Sequence, residues 1–280
     1  MMQFQIQLQI LIVLLSLVGL INSYSLLSSS MEVLSAKNAE LLAIKEQNKL
    51  VGIKTGGVKP LSRASISLVK EKSKAFGKLM EKQGCSSIKQ VLSSETSLEL
   101  KQWINDECER SKEEVNNDVV EFSERFGGVN CRGLDGKFGQ RQDLYLPLTN
   151  LMVKKAAAEA MTNLKPLLDE IVGGDTALVH EISSLVSNPG SPRQCLHCDT
   201  IQLPCPQYPN AMMKPLYTFF IALQDVEDDM GHTVFLPSTH TEEAHLMWNT
   251  EQSRKEMFIS VNPAVESKLK TGDTAIFDSR

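Results

Sequence analysis

Two strand-like segments enclose a His-x-Asp triplet in the second half of the chain. Residues 176–186 fit a two-residue period, and residues 216–223 form a short apolar run; both patterns are typical of β-strands. Between them lie His197 and Asp199. Side chains two residues apart on an extended segment point to the same face. An imidazole nitrogen and a carboxylate oxygen on one face can occupy two adjacent positions of a metal ion.

The pair would provide two of the three protein ligands of an iron site. One more His from a distant strand would complete the two-His, one-carboxylate triad of non-haem Fe(II) oxygenases, which leaves positions open for other ligands. A His-x-Asp triplet alone has low specificity. Here a Pro-Gly turn at 188–190 precedes it, and a turn and strand at 231–236 follow. This layout is typical of a double-stranded β-helix, a small antiparallel barrel with metal ligands at its mouth.

Helical patterns dominate the chain before residue 173. The sequence predicts helices over 66–82, 94–126 and 151–172, the last with a kink or stop near Pro166. Residues 130–148 are rich in glycine and predict a loop. We expect this loop and the segment 241–256 to shape a substrate pocket, since loops often border such sites.

Strands follow the helices, with further short ones predicted over 257–261 and 273–277. This order suggests an α+β fold in which helices pack on an antiparallel sheet or barrel. We predict a dioxygenase-type domain over 65–280, with helical support at 65–172 and a β-helix core at 175–280. Residues 31–64 predict a linker or surface helix.

The N-terminus has a different character. Residues 10–21 are a continuous apolar run of the length of a signal-peptide core, and are short for a membrane span. We predict a cleaved signal peptide over 1–30, with an uncleaved signal-anchor as the alternative, and exclude these residues from the fold. The protein would then enter the secretory pathway, and would contact a membrane only through residues 10–21 if they are retained.

Composition excludes some partners. The formal net charge is −5 and no basic tract is present, which argues against nucleic acid as a partner. The six cysteines are an even number, so disulfides are permitted, although their pairing is not readable from the sequence.

Three stretches carry a family resemblance. They are residues 187–194 followed by His197-x-Asp199, residues 220–226 leading through Gly231-x-Thr233 to 236–240, and residues 270–280. Together they resemble the iron-binding region of the phytanoyl-CoA dioxygenase family, whose members are Fe(II)- and 2-oxoglutarate-dependent dioxygenases. The resemblance implies a double-stranded β-helix fold, iron bound by His197 and Asp199, and Thr233 facing 2-oxoglutarate. It also implies that the protein uses O₂ to hydroxylate a small-molecule or lipid-like substrate.

The family's third iron ligand is a His beyond the element Asp278-Ser279-Arg280, with an Arg for 2-oxoglutarate further on. The sequence ends at Arg280, so the last barrel strand is missing. We expect a fragment of a longer enzyme, with loss of the chemistry as the alternative. No other His is expected to substitute: His232 and His245 are predicted to face solvent, and two more are expected to serve in the fold, namely His180 and His240.

Other functions stay open at this point. A prolyl-4-hydroxylase-like enzyme uses the same His-x-Asp and Gly-x-Thr elements and would suit a secreted protein. A non-catalytic barrel that binds a ligand without turnover belongs to a different class. Zinc binding by Cys195, Cys198, Cys205 and His197 is a further alternative, but structural zinc sites usually draw on two separated pairs of ligands.

Overall fold

The computed structural model describes residues 5–14, 59–60, 63–65, 70–128, 138–172, 177–200, 215–248 and 258–280. The helices are α1 (Lys70–Gln83), α2 (Ser94–Asn116), α3 (Phe122–Arg125), α4 (Leu151–Ile171) and α5 (Glu242–Trp248). The strands are β1 (Gln5–Leu14), β2 (Lys59–Pro60), β3 (Arg63–Ser65), β4 (Cys85–Lys89), β5 (Arg141–Tyr145), β6 (Ala177–Ser187), β7 (Leu216–Ala222), β8 (Val234–Phe235), β9 (Val265–Glu266) and β10 (Thr274–Asp278).

The strands form two sheets. The larger sheet has seven strands in the order β3-β4-β10-β7-β1-β6-β5, and the smaller has three in the order β2-β9-β8. All pairs are antiparallel except β3 with β4 and β2 with β9. The combination of helices and mainly antiparallel sheets agrees with the predicted α+β class. Neither sheet closes on itself among the described residues, so a complete barrel is not observed.

One face of the larger sheet is covered by helices. Asn150 caps the N-terminus of helix α4: its Oδ1 accepts hydrogen bonds from the backbone N–H groups of Met152 and Val153 at 2.8 and 3.3 Å. Such caps satisfy the free donors of the first turn. The buried side of α4 packs with α1, α2 and the sheet. Side chains of this core include Phe76, Met80, Leu100, Ile104, Ala156, Ala160, Leu164, Ile182, Phe219 and Ile276.

The opposite face of the larger sheet packs on the smaller sheet. Phe277 of β10 lies between Phe220 of β7 and Phe235 of β8, with ring centroids 5.1 and 5.0 Å apart. Buried Ala222 and Ala275 belong to the same apolar cluster. Because strand side chains alternate, Ile276 of β10 lies in the helical core. The flanking residues Ala275 and Phe277 lie in this second core.

Several predicted boundaries are wrong. The single helix over 94–126 is two helices: α2 ends at Asn116, and Asp118 has a φ of 54° that no helix can continue through. Consecutive Asn and Asp residues favour such an end, because their side chains compete for backbone hydrogen bonds. Pro166 lies inside α4 and does not end it. Residues 258–261 are helical, which corrects the predicted strand at 257–261.

Strands β4 and β5 are among the strands that the sequence did not predict. β4 is short and has the small residues Ser86 and Ser87 at its centre, and its burial comes from pairing with β10. β5 lies within the predicted loop 130–148. Its burial nevertheless alternates as in a strand, since Gln142 and Leu144 are buried and their neighbours are less so. Both strands belong to the region expected to provide only helical support, yet they extend the same sheet as β6, β7 and β10.

The N-terminal strand β1 lies between β6 and β7 and is antiparallel to both. The sequence from Gln5 to Ile10 alternates Gln with aliphatic residues, a period that suits a strand and that the exclusion of residues 1–30 overlooked. Cleavage of residues 1–30 would remove β1 and leave two strand edges unpaired. The signal peptide and the signal-anchor stay predictions.

Some expectations lie outside the described residues, namely the surface helix within 31–58 and Cys205. In the part of the chain that is described, no helix combines the length and the apolar character needed to cross a bilayer.

A tight turn before β10 connects distant parts of the fold. Gly272 O accepts hydrogen bonds from Val91 N and Leu92 N at 2.7 and 3.1 Å, and Gly272 N donates to Ala222 O at 2.8 Å. Gly272 has a φ of 83°, and a Cβ there would lie 2.1 Å from Leu92 O. Both the backbone conformation and the close approach therefore require glycine.

Gly272→Ala should destabilise the protein by at least about 3 kcal/mol, since strain and a clash with a backbone carbonyl act together. Gly190→Ala is the matched control: its φ is 84° but nothing lies within 4 Å of the added Cβ, so a cost of about 1 kcal/mol is expected. Urea unfolding of both variants measures the difference. Equal costs would show that the contact with Leu92 is unimportant.

The same turn is held by Asp225. Its Oδ1 accepts hydrogen bonds from the Thr271 N–H and hydroxyl, both at 2.9 Å, and its Oδ2 pairs with Lys270 Nζ at 2.9 Å. The hydrogen bond from Lys270, followed by those from Thr271, lowers the pKa of Asp225 to about 2. A carboxylate with a depressed pKa stabilises the fold above its unfolded pKa, and this stabilisation is lost as the pH falls through the folded value.

Asp225→Asn should therefore destabilise the protein at pH 7 by roughly 0.5–1.5 kcal/mol, a modest amount because the side chain is partly exposed. The difference between variant and wild type should shrink as the pH falls from about 4 to about 2. Denaturant unfolding across this range tests the prediction, with Asp169→Asn on the exposed side of α4 as the control. A difference that is constant with pH would contradict it.

Candidate functional site

The His-x-Asp triplet lies in an irregular segment between β6 and β7. The chain turns after β6, where Ser191 N donates to Asn188 O at 3.1 Å, and residues 191–200 contain no strand. The prediction that the triplet is extended is therefore wrong. The two side chains nevertheless meet, because His197 Nε2 lies 3.3 Å from Asp199 Oδ1.

The orientation of His197 is set by a backbone carbonyl. His197 Nδ1 lies 2.7 Å from Cys195 O, and a carbonyl can only accept, so Nδ1 carries the proton and donates it. This leaves Nε2 towards Asp199. The hydrogen bond with Asp199 raises the pKa of His197, and burial opposes the rise. A ligand His that donates its other ring nitrogen to a carbonyl is the usual arrangement around protein-bound metals.

The pair fits two adjacent positions of a divalent metal. With ligand bonds of about 2.1 Å at right angles, the two donor atoms would lie about 3.0 Å apart, near the separation observed. The side chains of His197 and Asp199 are 40% and 34% exposed, so an ion can reach them. Among the described residues, no third His, Cys, Asp or Glu joins them; Cys205 of the zinc alternative lies outside that part of the chain.

A guanidinium lies beside the pair. Arg141 of β5 donates from Nε to Ser187 Oγ at 3.0 Å and from Nη2 to Pro192 O at 3.3 Å. Its charge is close enough to His197 to act against protonation of the imidazole. Arg141 therefore connects the edge of the sheet to the His-x-Asp segment and places a positive charge there. The sequence predicted that Arg141 lies in the loop 130–148, which we expected to border the substrate pocket.

Asp143 follows on the same face of β5 and is largely buried. Gly127 N donates to Asp143 O at 2.7 Å, and a Cβ on Gly127 would lie 2.5 Å from Asp143 Oδ2. Burial raises the pKa of Asp143 to about 6, with Glu181 of β6 adding to the rise and the nearby Ser183 hydroxyl opposing it. Neither Asp143 Oδ1 nor Ser183 Oγ completes a hydrogen bond, so the ionised carboxyl is poorly solvated in the folded protein.

The end of β10 reaches the same segment. Thr200 N donates to Ser279 O at 2.8 Å, and Ser279 N donates to Leu216 O at 2.8 Å. The hydroxyls of Thr218 and Ser279 are buried and 2.6 Å apart. These contacts place the element Asp278-Ser279-Arg280 next to the residue that follows Asp199.

The other predicted residues lie elsewhere. Thr233 precedes β8 of the smaller sheet, where its carbonyl accepts a hydrogen bond from Ser267 N at 3.0 Å; its role towards 2-oxoglutarate stays a prediction. His232 was expected in solvent, but its side chain is only 10% exposed and Nε2 pairs with Glu266 Oε2 at 3.2 Å.

The remaining histidines also lie apart from the His197–Asp199 pair. His245 was expected in solvent as well; it is half-buried, and burial lowers its pKa. His240 is buried with Nε2 3.1 Å from Glu81 O, and His180 is exposed on β6.

Comparison with known proteins identifies the class. A profile of the phytanoyl-CoA dioxygenase (PhyH) family matches residues 80–280. This covers most of the chain and includes His197, Asp199 and Thr233. The protein is therefore a member of the phytanoyl-CoA dioxygenase family.

No curated protein matches the sequence. Solved structures that match include the non-haem α-ketoglutarate-dependent carbocyclase SnoK from nogalamycin biosynthesis. It is 16% identical, the alignment covers 80% of this chain and 78% of that one, and the TM-score is 0.46.

The buried carboxyl predicts a pH dependence. A carboxyl whose folded pKa exceeds its ordinary value favours folding when protonated and costs stability once it ionises. Asp143→Asn should therefore stabilise the protein at pH 8 by roughly 1–2 kcal/mol, with little gain at pH 4. Chemical unfolding between these pH values measures the effect. Asp169→Asn is the control: this exposed carboxylate pairs with Lys165 at 2.7 Å on the surface of α4, so its loss should change stability by no more than about 0.5 kcal/mol. Lower stability of Asp143→Asn at pH 8 would mean that the carboxylate has a favourable partner.

Proposed function

We propose that this protein is an Fe(II)- and 2-oxoglutarate-dependent oxygenase that hydroxylates a small or lipid-like molecule. The observation that carries the proposal is the His197–Asp199 pair. Its two donor atoms are 3.3 Å apart and accessible, and the pair lies inside the region that matches the family. A carboxylate and an imidazole suit Fe(II) and leave further positions to other ligands.

His197 and Asp199 would hold the metal. The contact with Cys195 O keeps the Nδ1 proton in place, so Nε2 is available as a ligand without a change of tautomer. When bound, iron with 2-oxoglutarate supplies the activation of O₂, which no side chain provides. The residues of the chain contribute orientation of ligands and shaping of the pocket.

Positive charge next to the pair suits an anionic cosubstrate. Arg141 is held by Ser187 and Pro192, so its guanidinium is pre-positioned, and 2-oxoglutarate carries two carboxylates. We further propose that Thr233 faces this cosubstrate, on the basis of the Gly-x-Thr element. Asp143 lies further along the same strand face.

A secretory location is also proposed, on the basis of the apolar residues 10–21. A protein substrate, as in a prolyl-4-hydroxylase-like enzyme, would suit that location. A lipid-like or other small substrate is the proposal that the family favours.

Removal of one metal ligand tests the function. In the full-length protein, His197→Ala should weaken Co(II) binding roughly 100-fold or more and abolish succinate release that depends on Fe(II) and 2-oxoglutarate. His180→Ala is the matched control, since this histidine is exposed on β6 away from the pair. Unchanged turnover in His197→Ala would refute the site. Metal binding without any 2-oxoglutarate turnover in the wild type would favour the non-catalytic alternative.

A further inference from the structure

The segment that carries the metal ligands also carries two cysteines, Cys195 and Cys198, on either side of His197. Cys198 is exposed and Cys195 is half-buried. Two other described cysteines are buried, and burial raises the pKa of Cys85 to about 12 and raises that of Cys108. Buried thiols of this kind are unreactive. Reagents in solution would therefore reach the first pair and leave Cys85 and Cys108 untouched.

The local backbone between the two cysteines is irregular. Residues 191–200 belong to no helix or strand, and the chain bends at Leu196, between the two cysteines. A disulfide needs Cα atoms about 4.4–6.8 Å apart, a separation that residues three apart reach in a bend. Since no ladder or helical hydrogen bonds hold these residues, closing the ring breaks no regular secondary structure.

We propose that Cys195 and Cys198 form a reversible disulfide that encloses His197 and weakens the metal site. The proposal rests on the proposed function in so far as it treats His197 as a ligand. The coupling follows from the contact between His197 Nδ1 and Cys195 O at 2.7 Å. Closing a four-residue ring brings the sulfurs to about 2.05 Å and turns the peptide unit that carries this carbonyl. His197 then loses the acceptor that orients its ring.

The reaction balances with a low-molecular-weight disulfide as oxidant. One cysteine thiolate attacks oxidised glutathione, forms a mixed disulfide and releases one glutathione thiolate. The second cysteine thiolate attacks the protein sulfur of that mixed disulfide and releases the second glutathione. Two protein thiols lose two electrons and two protons, and one glutathione disulfide becomes two glutathione molecules. Excess reduced glutathione reverses both steps.

The experiment equilibrates the full-length protein in glutathione buffers of increasing oxidation. Mass spectrometry should show a Cys195–Cys198 bond that reduction reverses, with Cys85 and Cys108 unmodified. Co(II) affinity should fall roughly 10- to 100-fold in the oxidised form, as expected when the partner that orients a ligand is lost. Cys198→Ser should abolish both changes. Cys205→Ser is the matched control and should preserve both.

The outcomes separate the two proposals. A bond to Cys205 in place of the Cys195–Cys198 bond, no disulfide at all, or a Cys195–Cys198 disulfide that leaves Co(II) affinity unchanged would overturn the inference. Absence of Co(II) binding in the reduced wild type would count against the proposed function. The disulfide is read by mass and would still be detected in that case.

Discussion

Strand β10 connects parts of this fold that are distant in sequence. It pairs with β4 on one side and with β7 on the other. Strand β10 therefore links β3 and β4 to the rest of the larger sheet. Its side chains contribute to both cores, with Ile276 among the helices and Phe277 against the smaller sheet. Its two ends are equally constrained, by the Gly272 turn against Leu92 and by Ser279 against Thr200. The position of the His-x-Asp segment therefore depends on this strand.

The sequence was most informative where the hydrophobic pattern is strong. Strands β6, β7 and β10 and helix α4 have the predicted type and nearly the predicted ends. Strand β4 escaped prediction because Ser86 and Ser87 are buried by pairing with β10, which no local pattern reveals. Strand propensity depends on such context more than helix propensity does. Strand β5 was missed for a different reason: it presents Arg141 and Asp143 on one face, and glycines around it suggested a loop.

At the candidate site, too, some features follow from the local sequence and others depend on tertiary contacts. The two side chains of the predicted His197–Asp199 pair lie 3.3 Å apart although the triplet is not on a strand, and their role as metal ligands stays a prediction. The Cys195 carbonyl orients the His197 ring. The neighbouring Arg141 depends on the pairing of β5 with β6, and this tertiary contact has no local signature. His232 was expected in solvent for a similar reason, since its partner Glu266 reaches it through the pairing of β8 with β9.

The energetics of the pair agree with a role in binding. An accessible His–Asp contact adds at most about 1 kcal/mol to stability, so the fold has little dependence on it. The segment is held instead by groups around it, namely the Arg141 guanidinium on Ser187 and Pro192 and the Ser279 carbonyl on Thr200. A metal ion that replaces the direct contact between His197 and Asp199 would leave those contacts intact. Binding would then exchange one weak interaction for two coordination bonds, and the surrounding backbone would not have to reorganise.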